Sequence, residues 1–362
     1  MDTVEIEVAV IGGGVVGLAI GAAAAAQGCA TVVLEAEARP AQHASSRNSQ
    51  VIHAGLYYPT GSLKARASVA GRRRLYAYLA DRGIAHRQCG KLVVACDAAQ
   101  TDALRTLFDR AQANGVEDLA WLDGASARAL EPALGAEVWA ALHSPQTGVL
   151  DSQGLVSALI TDLEAAGGHL ARQATVIDGA PRAGGLEVRV GGVSDYRVRA
   201  RHVINAAGAR SDRVARSFGV DAPVHRFVQG RYAAVSGQSP FERLIYPIPE
   251  AGGLGVHVTF DLSGGLRLGP DVRWVDGFDY DPGGFDPAAF VEPVAAFWPG
   301  VRQRRVWFDS VGLRPKLDAA NPDFRIDGPE VHGVIGLVCL YGIESPGLTS
   351  CLALADDVLD RL

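Results

Sequence analysis

The sequence predicts an α/β protein, α+β overall, with a nucleotide-binding domain on a parallel sheet and a second domain on a mixed β-sheet. Three observations predict it. The stretch from Val8 to Glu35 reads as an apolar strand, a glycine turn, an Ala-rich helix and a second strand ending in an acid. From Gly148 the α/β alternation returns and closes on an apolar strand that runs into HVINAAGARSD. Between residues 221 and 324 the pattern changes to short β-type runs separated by Pro and Gly. The nucleotide domain is therefore discontinuous, drawing on residues 1–80, 145–220 and 325–362, while 81–144 and 221–324 form the second domain.

In the first stretch Gly12, Gly14 and Gly17 fit G-x-G-x-x-G, and Glu35 follows Gly12 by 23 residues. Each glycine has a physical role in a Rossmann-like unit. Gly12 permits the tight turn, Gly14 lets backbone N–H groups reach a pyrophosphate, and Gly17 lets helix and strand pack closely. A helix beginning near Gly14 or Val15 points its unpaired N–H groups and positive dipole end at that anion. Glu35, at the tip of the second strand, accepts the hydroxyls of an adenosine ribose and repels a 2′-phosphate, which argues against NADP. The motif alone leaves FAD and NAD both open.

A chain of 362 residues buries a large core. Hydrophobic content of 48%, charged content of 20% and a net charge of −6 give no pull toward nucleic acid or an anionic membrane. The one compact basic run, Arg72 to Arg74, lies in a helical pattern and reads as a solvated face. Five scattered cysteines without CxxC suit free thiols in a reducing compartment, and no metal cluster is expected. Val8 to Ala26 is uncharged and mimics a signal peptide or membrane span. Its acidic flank (Asp2, Glu5, Glu7) and central glycine turn mark it instead as core. The expected location is cytoplasmic, with no transmembrane segment, and peripheral contact at the inner membrane stays open for quinone access.

Along the chain, Ser62 caps a helix reaching Ala80, and Gly83 ends it. Lys91–Ala95 is a short strand, and helices are expected over 98–114 and 125–131. A helix from Ser152 to Ala166 precedes strands at His169–Ile177, Leu186–Val190 and Tyr196–Ile204. HRFVQGRYAAV, RLIYPIP, GLGVHVTF, GLRLGP and RVWFDSVGLRP supply the mixed sheet. A last strand, a loop with Ser345, Pro346 and Gly347, and a closing helix complete the chain.

The order of ribose acid, then SSRNSQ, then His-Ala-Gly resembles the flavoenzyme family of D-amino-acid oxidase, sarcosine oxidase and glycerol-3-phosphate dehydrogenase. SSRNSQVIHAGLYYPTGSLKA together with CGKLVVA at 89–95 is most similar to the L-2-hydroxyglutarate dehydrogenase/oxidase branch. The resemblance covers nearly the whole chain, is most specific at residues 45–65 and is poor over 270–310. It implies a D-amino-acid oxidase type of fold with FAD as cofactor. The cofactor-binding set it implies is Gly12, Gly14, Val15, Val16, Gly17, Glu35, Ala36, Ser45, Ser46, Arg47, Asn48, Ser49, Val51, His53, Ala54, Val176, Ala207, Gly208, Gly342, Ser345, Pro346, Gly347, Leu348 and Thr349. An NAD reading uses only the first strand–helix–strand unit; FAD also gives the Ser/Arg/Asn loop, the Asn205–Gly208 segment and the Ser345–Gly347 helix start a role.

The reaction the resemblance implies oxidises the CH–OH beside a carboxylate in a small 2-hydroxy acid, L-2-hydroxyglutarate or an analogue, to the 2-oxo acid by hydride transfer to flavin N5. A neutral imidazole suits the hydroxyl proton, since its ordinary pKa lies near working pH. His53 is the first candidate and His257 the second. Arg is the best bidentate partner for carboxylate, so Arg231, Arg314 and Lys91 are candidate substrate anchors, with Tyr58 as neutral donor and Tyr246 and His257 beside them. The N-terminus of the last helix is placed to steady negative charge on the reduced ring. The partners expected are a small hydroxy acid and an electron acceptor: oxygen, a quinone or a flavoprotein. Oxidation of amines or amino acids (glycine, sarcosine, D-amino acids), glycerol-3-phosphate oxidation on the same fold, and a flavin-binding protein without turnover are the competing functions.

Overall fold

A computed structural model describes residues 2–249, 254–318 and 322–362. The first strand, Thr3–Ile11, is central to an eight-stranded sheet. It pairs in parallel with Thr31–Leu34 on one side and Tyr196–Asn205 on the other, aligning Ile11 with both Leu34 and Asn205. Three chain segments thus leave the sheet side by side at its carboxyl edge, as Gly12, Glu35 and Ala206, which is where parallel sheets take ligands. Leu337–Tyr341 joins in parallel through Val203–Asn205.

The helix Val15–Ala26 is buried almost all round, because it lies between the sheet and the helices Ser152–Ala165 and Gly347–Leu359. Its alanines allow this close stacking. The uncharged stretch from Val8 to Ala26 is therefore a strand, a turn and a core helix. Among the described residues no helix is long and apolar enough to cross a membrane.

A nine-stranded sheet carries the runs from both remaining parts of the chain. Its order is Arg273–Val275, His225–Gln238, Gly265–Gly269, His257–Phe260, Leu244–Pro247, Lys91–Ala95, Ala140–Ser144 and Ala120–Asp123. Val306–Leu317 pairs along the long strand His225–Gln238. A separate hydrophobic core covers this sheet.

Three local expectations change. The strand expected at His169–Ile177 is two strands: Gln173 takes a left-handed conformation (φ 53°), so His169–Ala171 extends the parallel sheet and Ala174–Arg182 starts an antiparallel hairpin. The basic run is not a solvated face throughout. Arg72 faces inward with Leu75 and Leu79 and is buried, its guanidinium 2.5 Å from Glu117, while Arg73 and Arg74 pair outward with Glu117 and Asp356. Residues 221–324 also hold a helix, Ala288–Ala295, that packs on the mixed sheet. The five cysteines are free, and among the described residues no cluster suited to a metal occurs.

Candidate active site

At the carboxyl edge of the parallel sheet the glycine turn is held by contacts only glycine permits. Gly12 has φ 109°, and a Cβ there would stand 2.5 Å from the Ala206 carbonyl oxygen. A Cβ on Gly17 would collide with the Gly12 carbonyl oxygen. Gly14 differs, since a Cβ there would approach only the Ser45 hydroxyl, at 3.2 Å, and its other side opens onto a cavity. Glu35 is fixed by its neighbours, its carboxylate accepting from the N–H groups of Gly13 and Glu37, each at 2.8 Å.

Two adjoining cavities run from this edge. One, of about 190 Å³, is walled by Gly12, Gly14, Gly17, Glu35, Ala36, Val176, Ala207 and Gly208. The other, of about 580 Å³, is walled by Val15, Arg47, Asn48, Ser49, Val51 and His53 and by Ser345, Pro346, Gly347 and Leu348. Val16 and Ser45 line both, and the Ser45 hydroxyl accepts from the Val15 N–H at 3.0 Å. A ligand filling both is long, with one end at Glu35 and the other beside two histidines. This shape and the open face of Gly14 fit an adenine dinucleotide with a tricyclic ring. The N-terminus of Gly347–Leu359 opens on the larger cavity with Gly347 and Leu348 on its wall; the Gly347 N–H donates to the Glu344 carbonyl, and a ring bound in this cavity would have the positive end of the helix beside it.

Four residues expected to bind cofactor lie behind that wall. Ala54 and Thr349 are buried, and the Thr349 hydroxyl accepts from the His53 N–H and donates to the Val51 carbonyl. Ser46 donates to the His43 carbonyl, and the Gly342 N–H donates to His225. They hold the lining in place without reaching the cavities.

Both candidate bases line the larger cavity and both are neutral. Burial, followed by the positive charge of Lys91 and the neighbouring His257, pushes the His53 ring well below its ordinary range. Its Nε2 stands 3.2 Å from the Ser345 hydroxyl, which Tyr58 also approaches. Burial, then Lys91 and Arg314, lowers His257 to about 3 against the opposing pull of its bond to Gly255. That bond, from Nδ1 to the Gly255 carbonyl oxygen at 3.0 Å, decides the tautomer. A carbonyl only accepts, so Nδ1 carries the hydrogen and Nε2 presents a lone pair. The ring stacks on Tyr246 at 3.8 Å between centroids and 11° between planes.

The expected anchors separate. Arg314, Tyr58, Tyr246 and His257 line the larger cavity together. Arg314 spends one bond on the Asp271 carbonyl oxygen, at 3.3 Å, while its Nε is buried and has no partner among the described residues. Lys91 does not line it. Its ammonium is fully buried behind the wall, 4.6 Å from the ring centroids of both Tyr57 and Tyr246, and burial lowers it to about 7. Arg231 is also elsewhere. Its neighbours Gly230 and Tyr232 face the cavity, so strand alternation turns Arg231 away, onto Asp271 at 2.6 Å and onto the carbonyls of Pro282 and Gly284.

Residues outside the expected set complete the rim. Lys64 and Lys316 both donate to one oxygen of Glu344, at 2.9 and 2.8 Å, and all three line the larger cavity. Burial alone would raise the Glu344 carboxyl, but the two lysines and Arg314 hold it below its ordinary value. Two cations on one carboxylate leave the rim positive. The sequence signal was Lys64 in the first helical turn, where the dipole disfavours a cation.

The whole chain has known relatives. It is 35% identical to an L-2-hydroxyglutarate dehydrogenase, mitochondrial, of Arabidopsis thaliana, over 99% of this chain and 83% of that one. With the protein of the same name in Pongo abelii it shares 31% identity, over 75% of this chain and 68% of that one. Among solved structures, FAD-bound, dithionite-reduced L-α-glycerophosphate oxidase of Mycoplasma pneumoniae superposes with a TM-score of 0.89 at 24% identity, covering 100% of this chain and 95% of that one. The profile described as DAO, FAD dependent oxidoreductase, matches residues 7–361. The chain belongs to the DAO family of FAD-dependent oxidoreductases.

Proposed function

We propose that the protein oxidises L-2-hydroxyglutarate, or a closely similar 2-hydroxy dicarboxylate, to the 2-oxo acid. One observation carries this reading: two neutral imidazoles and three cationic side chains, Arg314, Lys64 and Lys316, share the wall of one cavity. The similarity to proteins named L-2-hydroxyglutarate dehydrogenase supports the same choice.

Bound FAD supplies the acceptor for the hydride that leaves the substrate's carbinol carbon. The chain supplies the rest. His53 takes the hydroxyl proton as the C–H electron pair departs, leaving a C=O, and His257 Nε2 is the second group able to do so. Ser345 holds the His53 ring in orientation. Arg314 takes one carboxylate as a forked pair, with the Tyr58 hydroxyl and Tyr246 beside it. The lysine rim draws in the second carboxylate. Turnover is completed by oxygen, a quinone or a flavoprotein as acceptor.

Anaerobic mixing of the FAD-loaded protein with L-2-hydroxyglutarate, lactate, glycine, sarcosine, proline and glycerol 3-phosphate tests the reading. L-2-hydroxyglutarate is expected to bleach the flavin fastest and yield 2-oxoglutarate. Bleaching by an amine or glycerol 3-phosphate but by no hydroxy acid overturns it.

A further inference from the structure

The smaller cavity has one wall that the nucleotide-binding sheet does not supply. Phe278 and Tyr280 line it together with Gly12, Glu35 and Ala207. They lie just beyond the strand Arg273–Val275 of the other sheet, in a stretch without periodicity.

This segment is tied down at its base and at its tip. At the base, Gln229 donates to the carbonyls of Asp279 and Asp281, at 3.0 and 3.1 Å. Arg231 donates to those of Pro282 and Gly284, at 2.9 and 2.7 Å. At the tip, His43 bridges the two halves: Nδ1 is 3.0 Å from the Tyr280 hydroxyl and Nε2 is 3.1 Å from Glu37, two residues past the ribose acid. Its ring lies parallel to Tyr280, at 9°, and edge-on to Phe278. The guanidiniums of Arg47 and Arg210 cover Tyr280 and Phe278, 4.4 and 4.6 Å from the ring centroids. Both rings stay half-buried and line the cavity.

We propose that residues 276–284 are a strap that closes the adenosine end of the FAD channel, with Phe278 and Tyr280 as the aromatic wall against the adenine and Arg231 as its base anchor. An adenine offers a flat π-face, and two rings backed by guanidiniums are suited to it. FAD is then held by both sheets at both ends, and its release requires the strap to lift. The inference rests on the FAD site and is independent of which substrate is oxidised.

The test is FAD release. Holoenzyme carrying Phe278→Ala and Tyr280→Ala, diluted so that freed FAD is read by its fluorescence, is expected to lose cofactor about tenfold faster than the unaltered protein, with an unchanged far-UV circular dichroism spectrum. Hydrogen–deuterium exchange on the unaltered protein is the second measurement, and FAD loading is expected to slow exchange across 276–284. Release at the original rate, or exchange across 276–284 indifferent to FAD, overturns the strap. A failure of every hydroxy acid to bleach the flavin would leave both measurements intact.

Discussion

The Ser345 hydroxyl stands 3.2 Å from Nε2 of His53, joining residues 292 positions apart in the chain. Because Ser345 immediately precedes the turn into the last helix, the imidazole and the helix N-terminus at the ring end are oriented by one segment. Replacing His53 by Asn is expected to slow anaerobic flavin reduction by about 10²–10⁴, the usual contribution of a positioned base. Ser345→Ala, which leaves the ring but loosens it, is expected to cost about tenfold. Stopped-flow reduction at saturating substrate reads both, and equal rates in His53→Asn and the unaltered protein would remove the imidazole from the chemistry.

Arg314 and Arg231 lie on paired strands but turn to different environments, one onto the cavity and one onto the strap. Charged hydrogen bonds contribute about 1.5–3 kcal/mol, so Arg314→Met is expected to raise KM about 10- to 100-fold. Arg231→Met is expected to act mainly on cofactor retention and to change KM less. Steady-state kinetics with excess FAD separates the two effects.

The depressed histidines give stability a definite pH sign. The unfolded chain protonates His257 near its ordinary value of about 6.5, the folded one only near 3. Between these limits the unfolded state binds more protons, so stability is whole above about 6.5 and is lost as pH falls toward 3. His53 acts in the same direction. Each unit of pH costs about 1.4 kcal/mol per proton taken up, so His257→Asn is expected to recover about 2 kcal/mol of the loss between pH 7 and pH 5. Denaturant unfolding at the two pH values measures this. Lys91, lowered to about 7, adds a loss of stability as pH falls from its ordinary range toward 7.

Glu344 is the sole carboxylate shared by Lys64 and Lys316 among the described residues. Glu344→Ala strands two ammonium groups, one of them buried, and losing one partner of a buried pair costs about 3–5 kcal/mol. A thermal midpoint lowered by several degrees is expected, with partial recovery in Glu344→Ala combined with Lys64→Met. Differential scanning calorimetry checks both.

The nucleotide end was legible because its signal is local even where its contacts are not: Gly17 answers to the Gly12 carbonyl within the turn and Gly12 and Gly14 to the distant Ala206 and Ser45, but all three glycines fall between one strand and one helix, and Glu35 ends the next strand. His53 and the Ser345–Gly347 turn stand in motifs, and the structure sets both on the cavity wall; Arg314 was offered from residue type alone, as the bidentate partner of a carboxylate, with no motif to separate it from Arg231 and Lys91. Lys91 and Arg231 were misplaced because side-chain direction on a strand depends on which face the sheet buries. HRFVQGRYAAV mixes Gly and Ala with large residues on both faces, so its alternation does not mark the cavity side. In KLVVA every residue is buried, and a cation there gives no sign of which wall it stands behind. Lys64, Glu344 and Lys316 meet only through tertiary packing across 280 residues, and no local pattern carries that.

Anaerobic titration of the FAD-loaded protein with L-2-hydroxyglutarate and, separately, its D enantiomer is the most direct measurement. The L form is expected to abolish the flavin's blue absorbance with one 2-oxoglutarate formed per flavin, and the D form to leave it. A flavin untouched by the L form, or a protein that takes up no FAD at all, would contradict the assignment.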